Sequence, residues 1–252
     1  MAQPLSALKD VLKRLISFTP YRIHRNWGTN RFQAIEETLI ALKKNGFEAS
    51  LIIDGGANDG SFSKRMSRIF EKARFELFEP QPACVQNLEE LAKDPRFHFH
   101  QTALGSRPGE LFMAIDSCGN ITSGAHVVLN ATEASANVAR VPVGTLDQVL
   151  GGEVSQIDRT FLKLDLQGWE LEALKGADHI LDRIEVILSE VSFFAQAYEP
   201  SIEALIQFLD ERGFALYDIA ALAARRRDNR AHQGDFLFVR RDSSLMADTA
   251  WG

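Results

Sequence analysis

Long apolar runs and an excess of positive charge are missing from this chain, and cysteines are few. No stretch approaches the roughly 20 consecutive apolar residues that span a bilayer, and the amino terminus carries no apolar signal core with a cleavage site. A cytoplasmic protein without a transmembrane segment is therefore expected. Only two cysteines occur, Cys84 and Cys118, far apart and without C-x-x-C spacing. That excludes a disulfide framework and leaves no zinc signature. Lysine and arginine number 28 against 34 aspartate and glutamate, a net charge of -6, so the general basic face of a nucleic-acid binder is not expected. What remains is a chain of 252 residues, 45% of them hydrophobic, enough to bury a full core as one domain.

The stretch Leu51-Ile52-Ile53-Asp54-Gly55-Gly56-Ala57-Asn58-Asp59-Gly60 stands out. Three apolar residues before Asp54 suit a strand covered on both faces, and the glycines let the backbone turn sharply against a ligand. One helix length later, Phe75-Glu76-Leu77-Phe78-Glu79-Pro80 reads as a second strand whose closing carboxylate accepts hydrogen bonds from ribose hydroxyls. Together they form a half-site for an adenosine-containing cofactor. The spacing Asp54-x-Gly56-x-x-x-Gly60 departs from the G-x-G-x-x-G of a dinucleotide loop. A carboxylate at Asp54 would repel a pyrophosphate and favour a cationic amino acid group. S-adenosylmethionine meets that description, with its ammonium on Asp54 directly or through water and its ribose on Glu79. The expected cofactor set is Asp54, Gly56, Ala57, Asn58, Gly60, Ser61, Phe62, Glu79, Pro80, Thr102 and Ala103, with Asn58, Ser61 and Phe62 along the methionine half and Thr102 and Ala103 beside the adenine. A nicotinamide-dependent oxidoreductase using the same half-site is the rival enzyme, and a non-catalytic cofactor-binding partner subunit the rival without chemistry.

Residues 1–48 read as a helical extension. Leu5, Leu8, Val11, Leu12, Leu15 and Ile16 recur at helical spacing, and this stripe suits docking on its own domain, a homodimer contact or active-site cover, or a membrane-surface anchor. A second helix is predicted from about Arg31 to Lys44, with Phe32, Ile35, Leu39, Ile40 and Leu42 apolar and Gly46 as its stop. Residues 49–242 alternate strand and helix, and 243–252 form a tail. His98 and His100 share one strand face and read as surface or helix-packed residues. Residues 107–142 break the rhythm, with strands at Glu110–Ile115 and Val138–Val143 around a polar loop at Ser117–Gly124; such insertions carry substrate loops. Strands follow at Thr160–Asp165 and Ile184–Val191, with a helix from Gly168 through Leu181 between them and another at Ile202–Arg212. Phe214–Leu222 and Asp235–Val239, linked by Ala223–Gly234 without helical periodicity, predict an antiparallel close.

Several ordered pieces resemble the FkbM family of S-adenosylmethionine-dependent methyltransferases: Ile53–Gly60, Phe78-Glu79-Pro80, Ala103-Leu104-Gly105, Val143-Gly144-Thr145-Leu146-Asp147, Leu162-Lys163-Leu164-Asp165-Leu166-Gln167-Gly168-Trp169-Glu170 with Leu174-Lys175-Gly176-Ala177, and Leu188-Ser189-Glu190. The likeness runs from about Leu51 to Arg240 and leaves out the N-terminal helices and Ser117–Asn137. It implies an α/β fold of the class I methyltransferase type, Rossmann-like: a seven-stranded, mostly parallel sheet with an antiparallel C-terminal strand, helices on both faces and the N-terminal helical extension. It also implies methylation of oxygen on a sugar, a glycan or a glycosylated natural product, with S-adenosylhomocysteine as product.

Asp165 and Glu190 stand at strand ends facing the ligand crevice of such a sheet and are the candidate catalytic carboxylates, to orient or deprotonate an acceptor hydroxyl. The pair would admit magnesium, but with no third ligand identified no metal is predicted. Glu170 is expected to complement a helix N-terminus. His126 and His232 are candidate bases or substrate contacts. Arg225, Arg226 and Arg227, with Arg230 nearby, suit an anionic acceptor such as a phosphorylated sugar or a lipid-linked glycan. Their plain alternative is a solvated loop.

Overall fold

The computed structural model describes residues 30–114, 124–128, 138–154, 159–194, 201–248 and 250. Its centre is an eight-stranded sheet. β2 (Leu51–Gly55) and β8 (Thr160–Leu164) lie side by side in the middle, and every residue of both is buried. Leu51, Ile53, Leu162 and Leu164 face one core, whereas Ile52 and Phe161 face the other; the period of two in a strand feeds both layers.

β3 (Arg74–Phe78) and β4 (Phe97–His100) extend the sheet in parallel on one side, and β9 (Ile184–Ser192) does so on the other. β10 (Phe214–Ala224) and β11 (Ala231–Arg240) form the expected antiparallel pair, with β11 inserted between β9 and β10 and antiparallel to both. The helices α1 (Ile35–Lys44), α2 (Ser61–Ile69), α3 (Val85–Leu91), α4 (Leu146–Val154), α5 (Glu170–Lys175) and α6 (Ile202–Glu211) connect and flank these strands.

Besides the helix expected from Gly168 through Leu181, which is α-helical only over Glu170–Lys175, two boundaries differ from expectation. Arg31–Gln33 is not helical: β1 (Asn30–Gln33) pairs antiparallel with β10, adding an eighth strand to the seven predicted. The Ala34 N–H donates to the Ala220 carbonyl at 2.8 Å, and the helix begins only at Ile35. A backbone partner far along the chain outweighs the local helical pattern here. From Asn30 onward the presumed extension is thus continuous with the sheet, and Leu39 and Leu42 of α1 are buried in its core while Ile40 is exposed. The second difference is the linker between the last strands, which shrinks to Arg225–Arg230 because β10 and β11 pair nearly to their tips.

Residues 107–142 contribute β6 (Gly109–Ala114) and β7 (Val138–Gly144), which pair antiparallel and join the short β5 (Ala103–Leu104) in a separate three-stranded sheet. A single strand-like bridge from Val127 to Met113 adds to it. The Leu5–Ile16 stripe, the dimer contact drawn from it, Cys118 and most of Ser117–Asn137 lie outside the described residues. Among the described residues no helix is long and apolar enough to cross a membrane.

Candidate functional site

The carboxyl ends of β3, β2 and β8 meet at one crevice, and the loop after β2 is shaped by contacts on both sides. Gly56 has φ +75, and a Cβ there would overlap the Asp165 carbonyl oxygen, so both the backbone conformation and the space demand glycine. On one side the Gly56 and Ala57 N–H groups donate to the Phe78 carbonyl at 3.0 Å each; on the other the Asp165 N–H donates to the Gly55 carbonyl at 3.1 Å. Gly60, with φ +77, opens α2.

This loop floors an open cleft that encloses about 630 Å³ of empty space, solvent at its mouth included. Gly56, Asn58, Glu79, Pro80, Thr102 and Ala103 line one part of it. Asp165, Leu166, Gln167 and Trp169 line another, and Met113, Ala125 and Val127 reach it from the smaller sheet. Glu79 is buried, and its two carboxylate oxygens accept from the Asn58 N–H at 2.8 Å and the Gln81 N–H at 3.0 Å. Burial nevertheless holds its carboxyl above the usual range. The Gln81 side chain bonds the same carboxylate, and its two oxygens together still have capacity to accept from a ligand hydroxyl.

Other members of the expected cofactor set do not line the cleft. Asp54 is fully buried: Ser63 Oγ donates to it at 2.6 Å, and the Lys163 ammonium lies 3.0 Å from its other oxygen. It therefore does not present a free carboxylate to a ligand. Ala57 is packed in the core, Ser61 bonds Asp59, and Phe62 stacks on Phe161 below the loop. Gly60 serves the turn.

Lys163 organises this floor. Its Nζ donates to the Gly56 carbonyl at 2.7 Å and the Gly55 carbonyl at 3.2 Å, and lies 3.8 Å from Asp165 Oδ2. Burial opposes its charge, but Asp54 and then Asp165 outweigh that and hold its pKa above the ordinary lysine value. A lysine inside the apolar strand Phe161-Leu162-Lys163-Leu164 was the available signal, because a buried cation requires a buried anion.

Asp165 and Glu190 are brought together by a residue that sequence reasoning passed over. Gln167, at φ +54, donates from Nε2 to Asp165 Oδ1 at 2.9 Å and to Glu190 Oε2 at 3.1 Å. Asp235 is the second omission; β11 pairs it directly opposite Glu190, so the two side chains share a face. Burial first, then Asp165, Glu170 and Asp235, push the Glu190 carboxyl up to about 10. Asp235 is pushed up to about 7 by burial and then by Asp165. Glu170 does complement the start of α5, accepting from the Leu166 N–H at 2.6 Å and the Gly168 N–H at 3.3 Å, and burial raises its carboxyl to about 7.

The candidate substrate residues sit apart from the cleft wall. His126 Nδ1 contacts the Gly124 carbonyl at 2.9 Å, while its neighbours Ala125 and Val127 line the cleft. Arg225 pairs with Asp228 and lies 4.8 Å from the Phe194 ring centre; Arg230 covers the same ring at 4.0 Å. Arg226 and Arg227 are exposed, and the His232 carbonyl accepts from the Phe193 N–H at 2.9 Å. The arginine turn thus rests on the segment following β9, at the same end of the sheet as Glu190. His98 and His100 both contact the Glu76 carboxylate, at 2.9 and 2.7 Å. Burial first, and then the nearby Glu79 carboxylate, push the Cys84 thiol up to about 12.

Comparison with known proteins gives consistent relatives. The family model described as the Methyltransferase FkbM domain matches residues 54–216. Methyltransferase 1 of Beauveria bassiana (strain ARSEF 2860) is 28% identical over 163 residues, covering 56% of this chain and 65% of that protein, so just under two thirds of the relative's length is spanned. Among solved structures, a methyltransferase FkbM from Methylobacillus flagellatus KT aligns at 18% identity and TM-score 0.45 over 75% of this chain and 43% of its own. Aeropyrum pernix fibrillarin, solved with natively bound S-adenosyl-L-methionine, aligns at 14% identity and TM-score 0.44 over 81% of this chain and 74% of its own.

Proposed function

The chain belongs to the FkbM methyltransferase family, whose domain covers residues 54–216, and we propose that it transfers a methyl group from S-adenosylmethionine to a hydroxyl oxygen on a sugar, a glycan or a glycosylated natural product. The observation that carries the cofactor part is Glu79, a carboxylate fixed by two backbone N–H groups at the wall of the cleft, where it suits a ribose diol. The cleft wall also holds a spare donor, since Trp169 Nε1 is buried with no hydrogen-bond partner among the described residues. These residues fit an adenosine ligand.

When bound, S-adenosylmethionine supplies a sulfonium methyl; the carbon–sulfur bond breaks as the oxygen–carbon bond forms, and sulfur keeps the electron pair. The chain's own task is alignment and the removal of one proton. Gly56 and Asn58 shape the floor, Glu79 and Pro80 hold the ribose end, and Thr102 and Ala103 border the base. The hydroxyl proton passes to the carboxylate of the Asp165–Glu190 pair, whose two members the Gln167 amide links. No metal is assigned a part. Arg225, Arg226 and Arg227, on the turn beside β9, suit an anionic group on the acceptor, with His232 and His126 at the periphery.

The cofactor reading is tested by calorimetry with S-adenosylmethionine and NAD: binding of the first alone is expected, and binding of NAD alone would refute it. The acceptor reading is tested with a panel of phosphorylated and neutral glycosides. Replacing Arg225–Arg227 by alanine is expected to raise KM for the phosphorylated members and leave cofactor affinity unchanged. Transfer to none of the panel would return weight to a non-catalytic partner subunit.

A further inference from the structure

We propose that Asp165, and not Asp54, receives the α-ammonium of the cofactor's methionine end, with Lys163 behind it holding Asp54 out of reach. The proposal rests on the S-adenosylmethionine reading above.

Four observations carry it. The oxygens of Asp54 are engaged by Ser63 and Lys163, and the residue is fully buried. Asp165 is a wall of the cleft with its side chain 41% exposed, and its backbone lies directly against Gly55 and Gly56. The charges do not cancel: one ammonium serves two carboxylates, and it stands 3.0 Å from Asp54 but 3.8 Å from Asp165. The surplus negative charge therefore surfaces at Asp165, where a cation is favoured and a carboxylate is not. The fourth observation is spacing. In the sheet β2 lies between β8 and β3, so the strand ends carrying Asp165 and Glu79 are about 10 Å apart with the glycine loop between them. One flank then suits the ribose diol and the other an amino group further along the same ligand.

Asp165 then faces the cofactor, and Gln167 ties it to Glu190 behind the cleft wall.

Calorimetry with three ligands tests the assignment without any acceptor: S-adenosylhomocysteine, its analogue lacking the α-amino group, and 5′-methylthioadenosine. Asp165→Asn is expected to weaken S-adenosylhomocysteine by about 10- to 100-fold, the loss of one charge-assisted contact, and to leave methylthioadenosine unchanged. Removing the amino group should weaken binding to the wild type by a similar factor and cost the variant little. Equal losses for S-adenosylhomocysteine and methylthioadenosine, or no loss for either, would overturn the proposal. Should Asp165→Asn fail to fold, Asp165→Ser serves the same comparison. Equal wild-type affinity for S-adenosylhomocysteine and its deaminated analogue overturns it with no variant at all. A wild type that binds none of the three ligands instead overturns the cofactor reading itself.

Discussion

Replacing Lys163 by methionine is the most informative single change, because it keeps the side-chain length while removing the charge beneath the glycine loop. Lys163 is 7% exposed at its side chain and Asp54 is fully buried, so the variant leaves Asp54 with Ser63 alone. Breaking a buried pair from one side costs about 3–5 kcal/mol, and for a domain of this size that corresponds to a melting temperature roughly 6–20 °C lower. The carbonyls of Gly55 and Gly56 lose their donor as well. Urea unfolding of wild type, Lys163→Met, Asp54→Asn and the double variant measures the effect. The double variant is expected to be more stable than Lys163→Met, since it removes the stranded charge. The pH dependence has a definite sign. A lysine whose folded pKa is raised contributes stability in full below its unfolded value of about 10.4 and loses it as pH rises through the folded value. The wild type should therefore weaken at alkaline pH, and Lys163→Met should lack that limb. A loss below about 1 kcal/mol, small for a buried pair, or strict additivity of the two single changes, would refute the coupling.

Three further outcomes follow from the site. Gly56→Ala is expected to lower S-adenosylmethionine affinity at least about tenfold, because the left-handed φ costs an L-residue about 1–2 kcal/mol before the overlap with the Asp165 carbonyl is counted; calorimetry reads the change. Asp235→Asn should flatten the pH dependence of unfolding. A carboxyl raised to about 7 contributes stability that is full below its unfolded pKa and is lost as pH rises through 7, so the decline should be shallower in the variant, with Glu170 and Glu190 supplying what remains. Of the three tryptophans Trp169 lines the cleft, and Trp169→Phe should remove the fluorescence change that cofactor binding produces in the wild type.

The parts of the fold legible in the sequence are those set by neighbours along the chain. Leu51–Asp54 announces a doubly covered strand, the glycines announce its turn, and Glu79 falls at the end of the next strand because one helix separates them. The antiparallel close was legible as well, since two strands joined by a short link have few other ways to pair. Register across the sheet was not. Asp54 sits opposite Lys163, and that pairing turned an apparent ligand group into a buried counter-ion. Asp235 sits opposite Glu190 for the same non-local reason, and β1 exists because β10 offers it an edge. Gln167 could have been noticed as an amide between two candidate carboxylates, but only the turn after β8, at positive φ, brings its side chain within reach of both.

The arrangement of charge explains why the central strands carry ionisable groups where aliphatic residues would pack at lower cost. A buried lysine–aspartate pair rarely adds stability over well-packed apolar residues. Here it does two things that leucine could not. The Lys163 ammonium ties the carbonyls of the glycine loop to β8, so the loop keeps its shape without a ligand, and it neutralises Asp54 without neutralising Asp165. Next to that residual charge, Glu190 and Asp235 retain their protons to higher pH, which lets three carboxyl groups share one end of the sheet. A cationic ligand at Asp165 would relieve part of that strain. Seating that charge should lower the pKa of both Glu190 and Asp235, because Asp165 is among the charges that raise them.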